Sequence, residues 1–278
     1  MPRIDVRNST RYWLDRRTPG LSLLIANLTT HEYATHTHDA LLVAVTEAGG
    51  SEITASGVPD EAHRSSLLVV NPAEPHSSRM QRSRGWRYRS FYLMESGLAE
   101  LSSSLGLAGI PSFDRSIFLD SDLIADFLQL HRALEAEAHP MRQRELLVGT
   151  FGRLIQRHGV GGGLARPPHS PRDKVLLGAV VTLMRERHGE SLTLDELAAH
   201  AGLSQFQLIG LCRRGLGMTP HAYLIQIRLG AACHRLRRGM PIAEAATASG
   251  FYDQSALTNH FKRCYGMTPM QYIHAVRG

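Results

Sequence analysis

Ala201-Gly202-Leu203-Ser204-Gln205-Phe206-Gln207-Leu208, closed by Gly217-Met218-Thr219-Pro220-His221-Ala222-Tyr223, returns as Ser249-Gly250-Phe251-Tyr252-Asp253-Gln254-Ser255-Ala256-Leu257, closed by Gly266-Met267-Thr268-Pro269-Met270-Gln271-Tyr272. The offset is 48 residues at the glycine and 49 at the later landmarks, so the second copy carries one extra residue in its turn. A repeated helix, glycine-containing tight turn and helix reads as two helix-turn-helix units in tandem.

Local signals fill in each unit. Ser191 or Thr193 caps a short helix from Leu194 to His200, Gly202 makes the turn, and Ser204 caps the second helix. Leu208, Leu211 and Cys212 form its inner stripe, which leaves Gln205, Phe206, Ile209, Gly210 and Arg213 outside. In the second unit Ile242 to Ala248 supports, Gly250 turns and Asp253 caps. Ala256, Leu257 and Phe261 point inward, while Gln254, Ser255, Thr258, Asn259 and Lys262 point outward. Glutamine and asparagine can pair doubly with adenine in the major groove, whereas Lys262 and Arg263 suit phosphates. A helix from about Pro220 to Arg238, opened by proline and closed by Gly239, sets the spacing between the reading helices. At one DNA turn, ~34 Å, both would enter successive major grooves.

Charge agrees with a double-stranded DNA partner. Of the net +6, all sits in residues 172–278, with 13 Lys and Arg against 7 Asp and Glu; the remainder balances to zero. Cys212, Cys233 and Cys264 show no CxxC spacing and make no secreted disulfide framework. Cys212 and Cys264 read as small apolar core fillers. No apolar run approaches ~18 residues and the start lacks a signal-peptide pattern, so the expectation is a cytoplasmic chain without a membrane partner.

Gly159 to Pro171 gathers four glycines and three prolines, a linker composition. Before it, LSLLIANL, LLVAVTEAG, SEITASG, SLLVV and YRSFYL read as short strands between turns over residues 21–93, a small sandwich or barrel. Residues 97–158 follow helical spacing through Leu119, Leu123, Ile124, Phe127, Leu128 and Leu134, then Leu146, Leu147, Phe151, Leu154 and Ile155. These helices are expected to close the barrel core, and pairing with a second copy is compatible with that.

Residues 172–278 resemble the DNA-binding domain of AraC/XylS-family transcriptional regulators. The resemblance is carried by Leu197-Ala198, Gly202-Leu203-Ser204, Leu208, Gly217-Met218-Thr219-Pro220, Tyr223, Arg228-Leu229, Ala232, Ile242, Ala246, Gly250-Phe251, Phe261-Lys262 and Gly266-Met267-Thr268-Pro269. It implies a DNA-binding, non-enzymatic regulator, with RNA polymerase and a homodimer partner among its contacts. Where the family usually has arginine and phenylalanine in the first reading helix, this chain has Gly210 and Cys212, and Asn259 stands where arginine is common in the second. The first unit is therefore expected to supply affinity, and Gln254, Ser255 and Asn259 to read sequence.

His36-Thr37-His38-Asp39 precedes a strand, and Asn71-Pro72-Ala73-Glu74-Pro75-His76 follows it. An HxH pair with a later PxxxH resembles the cupin fold and the sensor half of the same family. The implied class is α+β: a cupin-like jelly-roll barrel at about 10–95 with flanking helices at 97–158, together an effector-binding and dimerisation domain (1–158); a linker (159–171); and an all-α tandem helix-turn-helix domain (172–278). His36, His38, Glu74, His76, Trp86, Arg89 and Tyr92, with Tyr88, are the candidate effector residues; Arg89 would suit a carboxylate by bidentate pairing. His36, His38 and His76 are also candidate ligands for a divalent metal. Metal-binding cupins usually add a glutamate four residues after the second histidine, and here that position is Leu42. Two other readings are a metal-dependent cupin enzyme fused to a DNA-binding module, and a regulator governed by a protein partner.

Overall fold

The computed structural model describes residues 8–30, 32–55, 57–80, 85–136, 138–160, 171–265 and 268–277. The chain divides into two compact units, Met1–Arg166 and Pro167–Gly278. Of the expected linker, residues 161–170 lie outside the described residues.

The first unit is built on antiparallel strands: β1 (Ser9–Leu14), β2 (Leu21–Leu28), β3 (Glu32–His36), β4 (Ala40–Ala55), β5 (Val58–His63), β6 (Leu67–Val70), β7 (His76–Arg79), β8 (Trp86–Met94) and β9 (Ile117–Phe118). Their main path is β1-β2-β8-β4-β6-β9, while β5 and β7 pair with β4, and β3 with β7. β4 organises the barrel. Its first half pairs with β6 and β8, and its second half with β5 and β7.

The sequence reading split β4 in two at Gly49-Gly50. The structure runs the strand through both. Gly49 has φ 71°, a left-handed conformation that bends the strand without ending it. A Cβ at Gly50 would lie 2.6 Å from the Ala62 carbonyl oxygen, so the paired strand needs that glycine. The result is one strand crossing between two sheets, a barrel corner made by glycine.

The centre of the main sheet, β4 with β6 and β8, is buried on both faces. Side chains of Ala26, Leu28, Leu42, Ala44, Ile53, Leu68, Trp86 and Tyr88 fill the barrel interior. On the opposite face of β8, Phe91 packs on Phe127 and Phe151, with ring centroids 5.5 and 6.0 Å away. Those two rings belong to α2 (Ser121–Glu135) and α3 (Pro140–His158), which follow α1 (Glu95–Leu105). The expectation that the helices close the barrel is therefore corrected: they cover the outer face of the sheet and form a second core. Two-sided burial explains why Ala40-Leu41-Leu42-Val43-Ala44-Val45 is apolar throughout instead of alternating.

The second unit is all helical: α4 (Pro171–Glu186), α5 (Leu194–Ala201), α6 (Gln205–Leu216), α7 (Pro220–Arg237), α8 (Ile242–Ala248), α9 (Gln254–Tyr265) and α10 (Pro269–Arg277). Thr193 and Ser204 each close a capping box, with Glu196 and Gln207 respectively. Asp253 accepts from the Ala256 N–H at 2.7 Å. Pro220 opens α7, and Gly239, at φ 93°, follows its end. Leu229, Ala232, Leu236, Ala246, Leu257 and Phe261 make the core that binds the second helix-turn-helix to α7. Cys212 is fully buried, as a core filler is; Cys264 is exposed, because Phe261 ends the covered stripe of α9.

Candidate functional site

Two surfaces carry chemistry. The first is α9. Gln254, Ser255, Asn259, Lys262 and Arg263 are all exposed along it, with Leu257 and Phe261 buried behind them. Thr258 is half-buried and its hydroxyl donates to the Gln254 carbonyl at 2.8 Å. The helix thus shows solvent a polar and basic stripe on an anchored back.

α6 is poorer. Phe206 is half-buried and Arg213 exposed, but Gln205 and Ile209 are only 3% and 2% exposed. Both were expected on the outer face, and the structure corrects this. The Gln205 amide donates to Asp195 of α5, and Ile209 lies one turn on, along the line that continues to Cys212. The buried stripe is wider than Leu208, Leu211 and Cys212 alone suggest. What remains outside is Phe206, Gly210 and Arg213.

The second surface is inside the barrel. A small open-mouthed cavity of about 60 Å³ is lined by Leu42, Ala44, Ile53 and Leu68 together with Trp86, Tyr88 and Tyr92. Trp86 stacks on Tyr88 at 4.1 Å between ring centroids, and its indole N–H donates to Thr46 at 3.0 Å. Burial pushes the Tyr88 and Tyr92 phenols up from their ordinary range.

His36, His38 and His76 meet at the mouth. Their ring centroids are 4.3 Å (His36 to His76), 4.7 Å (His38 to His76) and 6.2 Å (His36 to His38) apart. Backbone carbonyls fix two of the rings, with His38 Nδ1 3.0 Å from the Ala40 oxygen and His76 Nδ1 3.0 Å from the Glu74 oxygen. Burial, and after it neighbouring imidazoles, hold His38 and His76 below the usual histidine range. Among the described residues, no group of three His, Cys, Asp or Glu is placed to hold a metal ion.

Two expected effector residues lie elsewhere. Arg89 is on the far face of β8 from the cavity, bonded to Glu135 at 2.7 Å and to Glu47 at 3.2 Å. Alternation along a strand puts Trp86, Tyr88 and Tyr92 on one face and Arg87, Arg89 and Phe91 on the other. Glu74 accepts from the Asn71 N–H and side-chain amide at 2.9 and 2.8 Å, which closes the turn before His76. Tyr33, Ser78 and the apolar residues of β4 and β6 were missed as lining, for want of any local motif.

That turn is strained. Ala73 has φ 58°, and its N–H donates to the His38 carbonyl at 2.9 Å. Left-handed alanine costs roughly 1 kcal/mol. Ala73→Gly is therefore expected to stabilise the first unit by about 1 kcal/mol in urea denaturation; a lower midpoint would refute the strain.

Residues 18–149 match the family described as AraC-like ligand binding domain, and residues 197–275 match a helix-turn-helix domain family. The chain is 28% identical over 228 residues, 81% of each chain, to the uncharacterized HTH-type transcriptional regulator YbfI of Bacillus subtilis (strain 168). It is 26% identical over 254 residues, 87% of each, to the HTH-type transcriptional activator RhaR of Escherichia coli (strain K12). It is 34% identical over 102 residues, 36% of each, to the RCS-specific HTH-type transcriptional activator RclR of Escherichia coli (strain K12).

Proposed function

This chain belongs to the AraC family of DNA-binding transcription regulators with an N-terminal ligand-binding domain, and from that premise we propose how its two surfaces divide the work. A small molecule enters the barrel, and its preference for one state of the regulator changes the affinity of the second unit for double-stranded DNA. α9 reads the operator through Gln254, Ser255 and Asn259, while Lys262 and Arg263 neutralise phosphate. α6 supplies affinity with little base discrimination through Phe206 and Arg213. RNA polymerase and a second copy of the chain are the further partners in this reading, and the cytoplasm its place. No described helix is long and apolar enough to cross a membrane.

The observation that carries the reading is the exposed stripe of α9, in which the uncharged polar residues occupy the first two turns and the cations the last. Asn259→Ala is expected to weaken specific binding by about 1–2 kcal/mol and leave binding to random DNA unchanged. An unaltered ratio of specific to random affinity would remove Asn259 from base reading. Lys262→Ala is expected to weaken all sequences alike and reduce the salt slope of log K by about one. An unchanged slope would mean that Lys262 touches no phosphate.

A further inference from the structure

The barrel mouth limits the ligand through the tautomers of two histidines. A carbonyl oxygen has no hydrogen to give, so the nitrogen facing it must be the donor. His38 Nδ1 faces the Ala40 carbonyl and His76 Nδ1 faces that of Glu74, so both rings carry their proton on Nδ1. Each neutral ring then has Nε2 as its lone-pair acceptor, and both rings line the cavity. His38 Nε2 is fully buried and has no hydrogen-bond partner among the described residues. A buried acceptor left without a donor costs about 1–3 kcal/mol, a debt that a ligand donor would cancel.

Among the described residues, no Asp, Glu, Lys or Arg lines the cavity, and Arg89 is committed to Glu47 and Glu135 on the other side of the sheet. A carboxylate would face imidazole lone pairs, and an ammonium would be desolvated without a counter-ion. The same cavity is lined by the stacked Trp86 and Tyr88, which offer ring surface.

We propose that the barrel takes an uncharged ligand in which a hydroxyl, on a flat apolar body, donates its hydrogen to His38 Nε2. This rests on the sensor reading and names its ligand class. The expectation of a carboxylate-bearing effector, made from Arg89, is replaced.

The test uses the full-length chain and four probes that share a phenyl ring: benzyl alcohol, benzyl methyl ether, benzoate and benzylammonium. Binding is followed by saturation-transfer NMR and by tryptophan emission in a Trp13→Phe background, which isolates Trp86. Benzyl alcohol is expected to bind at least tenfold more tightly than each of the others. His38→Phe, which keeps a ring but removes the acceptor, is expected to abolish that preference, leaving the ether unaffected; His38→Leu gives a second variant without the acceptor if the first does not fold. Equal or tighter binding of the ether or of either ion at the Trp86 site overturns the ligand class while the sensor reading stands. Benzyl alcohol binding that a chelator abolishes also overturns it, in favour of a bound metal. Failure of all four overturns the ligand class, and failure of a wider chemical collection as well would overturn the sensor reading.

Discussion

Gly250→Ala is expected to destabilise the second unit by about 3 kcal/mol, and Gly202→Ala by only about 1 kcal/mol, although the two glycines occupy the same place in the repeat. Both have left-handed backbones, at φ 86° and 62°, so alanine at either pays roughly 1 kcal/mol of conformational strain. The surroundings differ. Around Gly202 nothing lies within 4 Å of an added Cβ. At Gly250 the added atom would run into the His188 carbonyl oxygen and come within 2.7 Å of Arg228 Nε. Neither neighbour can give way. Arg228 is 3% exposed and donates to the carbonyls of His188 at 2.8 Å and Glu190 at 2.7 Å. Overpacking of that kind adds about 1–3 kcal/mol. Urea midpoints of the two variants measure the difference, and equal losses would mean that backbone strain alone sets both.

The Gly250 contact also bears on how two reading helices are held in one register. Arg228 lies in α7, His188 and Glu190 precede α5 of the first helix-turn-helix, and Gly250 is the turn of the second. The three meet at one point. The second turn therefore rests on the segment that leads into the first unit, and the spacing between α6 and α9 does not depend on α7 alone. A Gly250→Ala variant that still folds should lose operator affinity in addition to stability.

How much of this was legible in the sequence depended on which interactions are local. The repeat, its caps and its turns were readable because each capping contact spans three residues, as in Thr193 with Glu196 and Ser204 with Gln207. The outward face of α9 was readable because Leu257 and Phe261 mark its back unambiguously. α6 was misread at Gln205 and Ile209 because its buried stripe is set by α5, through Asp195, and helical spacing does not show how wide a neighbour is. Arg89 was misplaced for a related reason. β8 is buried on both faces, so hydropathy does not say which face looks into the cavity. Arg228 and Gly250 stood in the family pattern, but their contact spans 22 residues and has no local signature.

The far face of β8 leads to an acid sensitivity. His131 on α2 is fully buried, with Nδ1 3.1 Å from Arg89 Nη1 and Nε2 3.3 Å from the Leu24 carbonyl. The guanidinium can only donate, so Nδ1 accepts and the proton sits on Nε2, where the carbonyl takes it. Protonation would put a second cation against Arg89. Burial first, and Arg89 second, lower the His131 pKa from 6.5 to about 4. The unfolded chain binds this proton more readily than the folded one. The stability that neutral His131 contributes is thus complete above pH 6.5 and is lost as pH falls toward 4. The loss is about 2 kcal/mol at pH 5 and about 3 kcal/mol at pH 4. Glu135, which Arg89 holds below the usual carboxylate range, stays ionised over most of that interval and keeps Arg89 in place. Trp13 packs edge-on against His131 at 5.4 Å, so its emission reports on this site. His131→Gln retains an acceptor for Arg89 and a donor for Leu24 but does not titrate. Denaturation midpoints of this variant should fall less steeply between pH 7 and 4 than those of the parent chain, by the same 3 kcal/mol. Parallel pH profiles would place the acid lability in other groups, with His38 and His76, whose pKa values are also lowered, the first to examine.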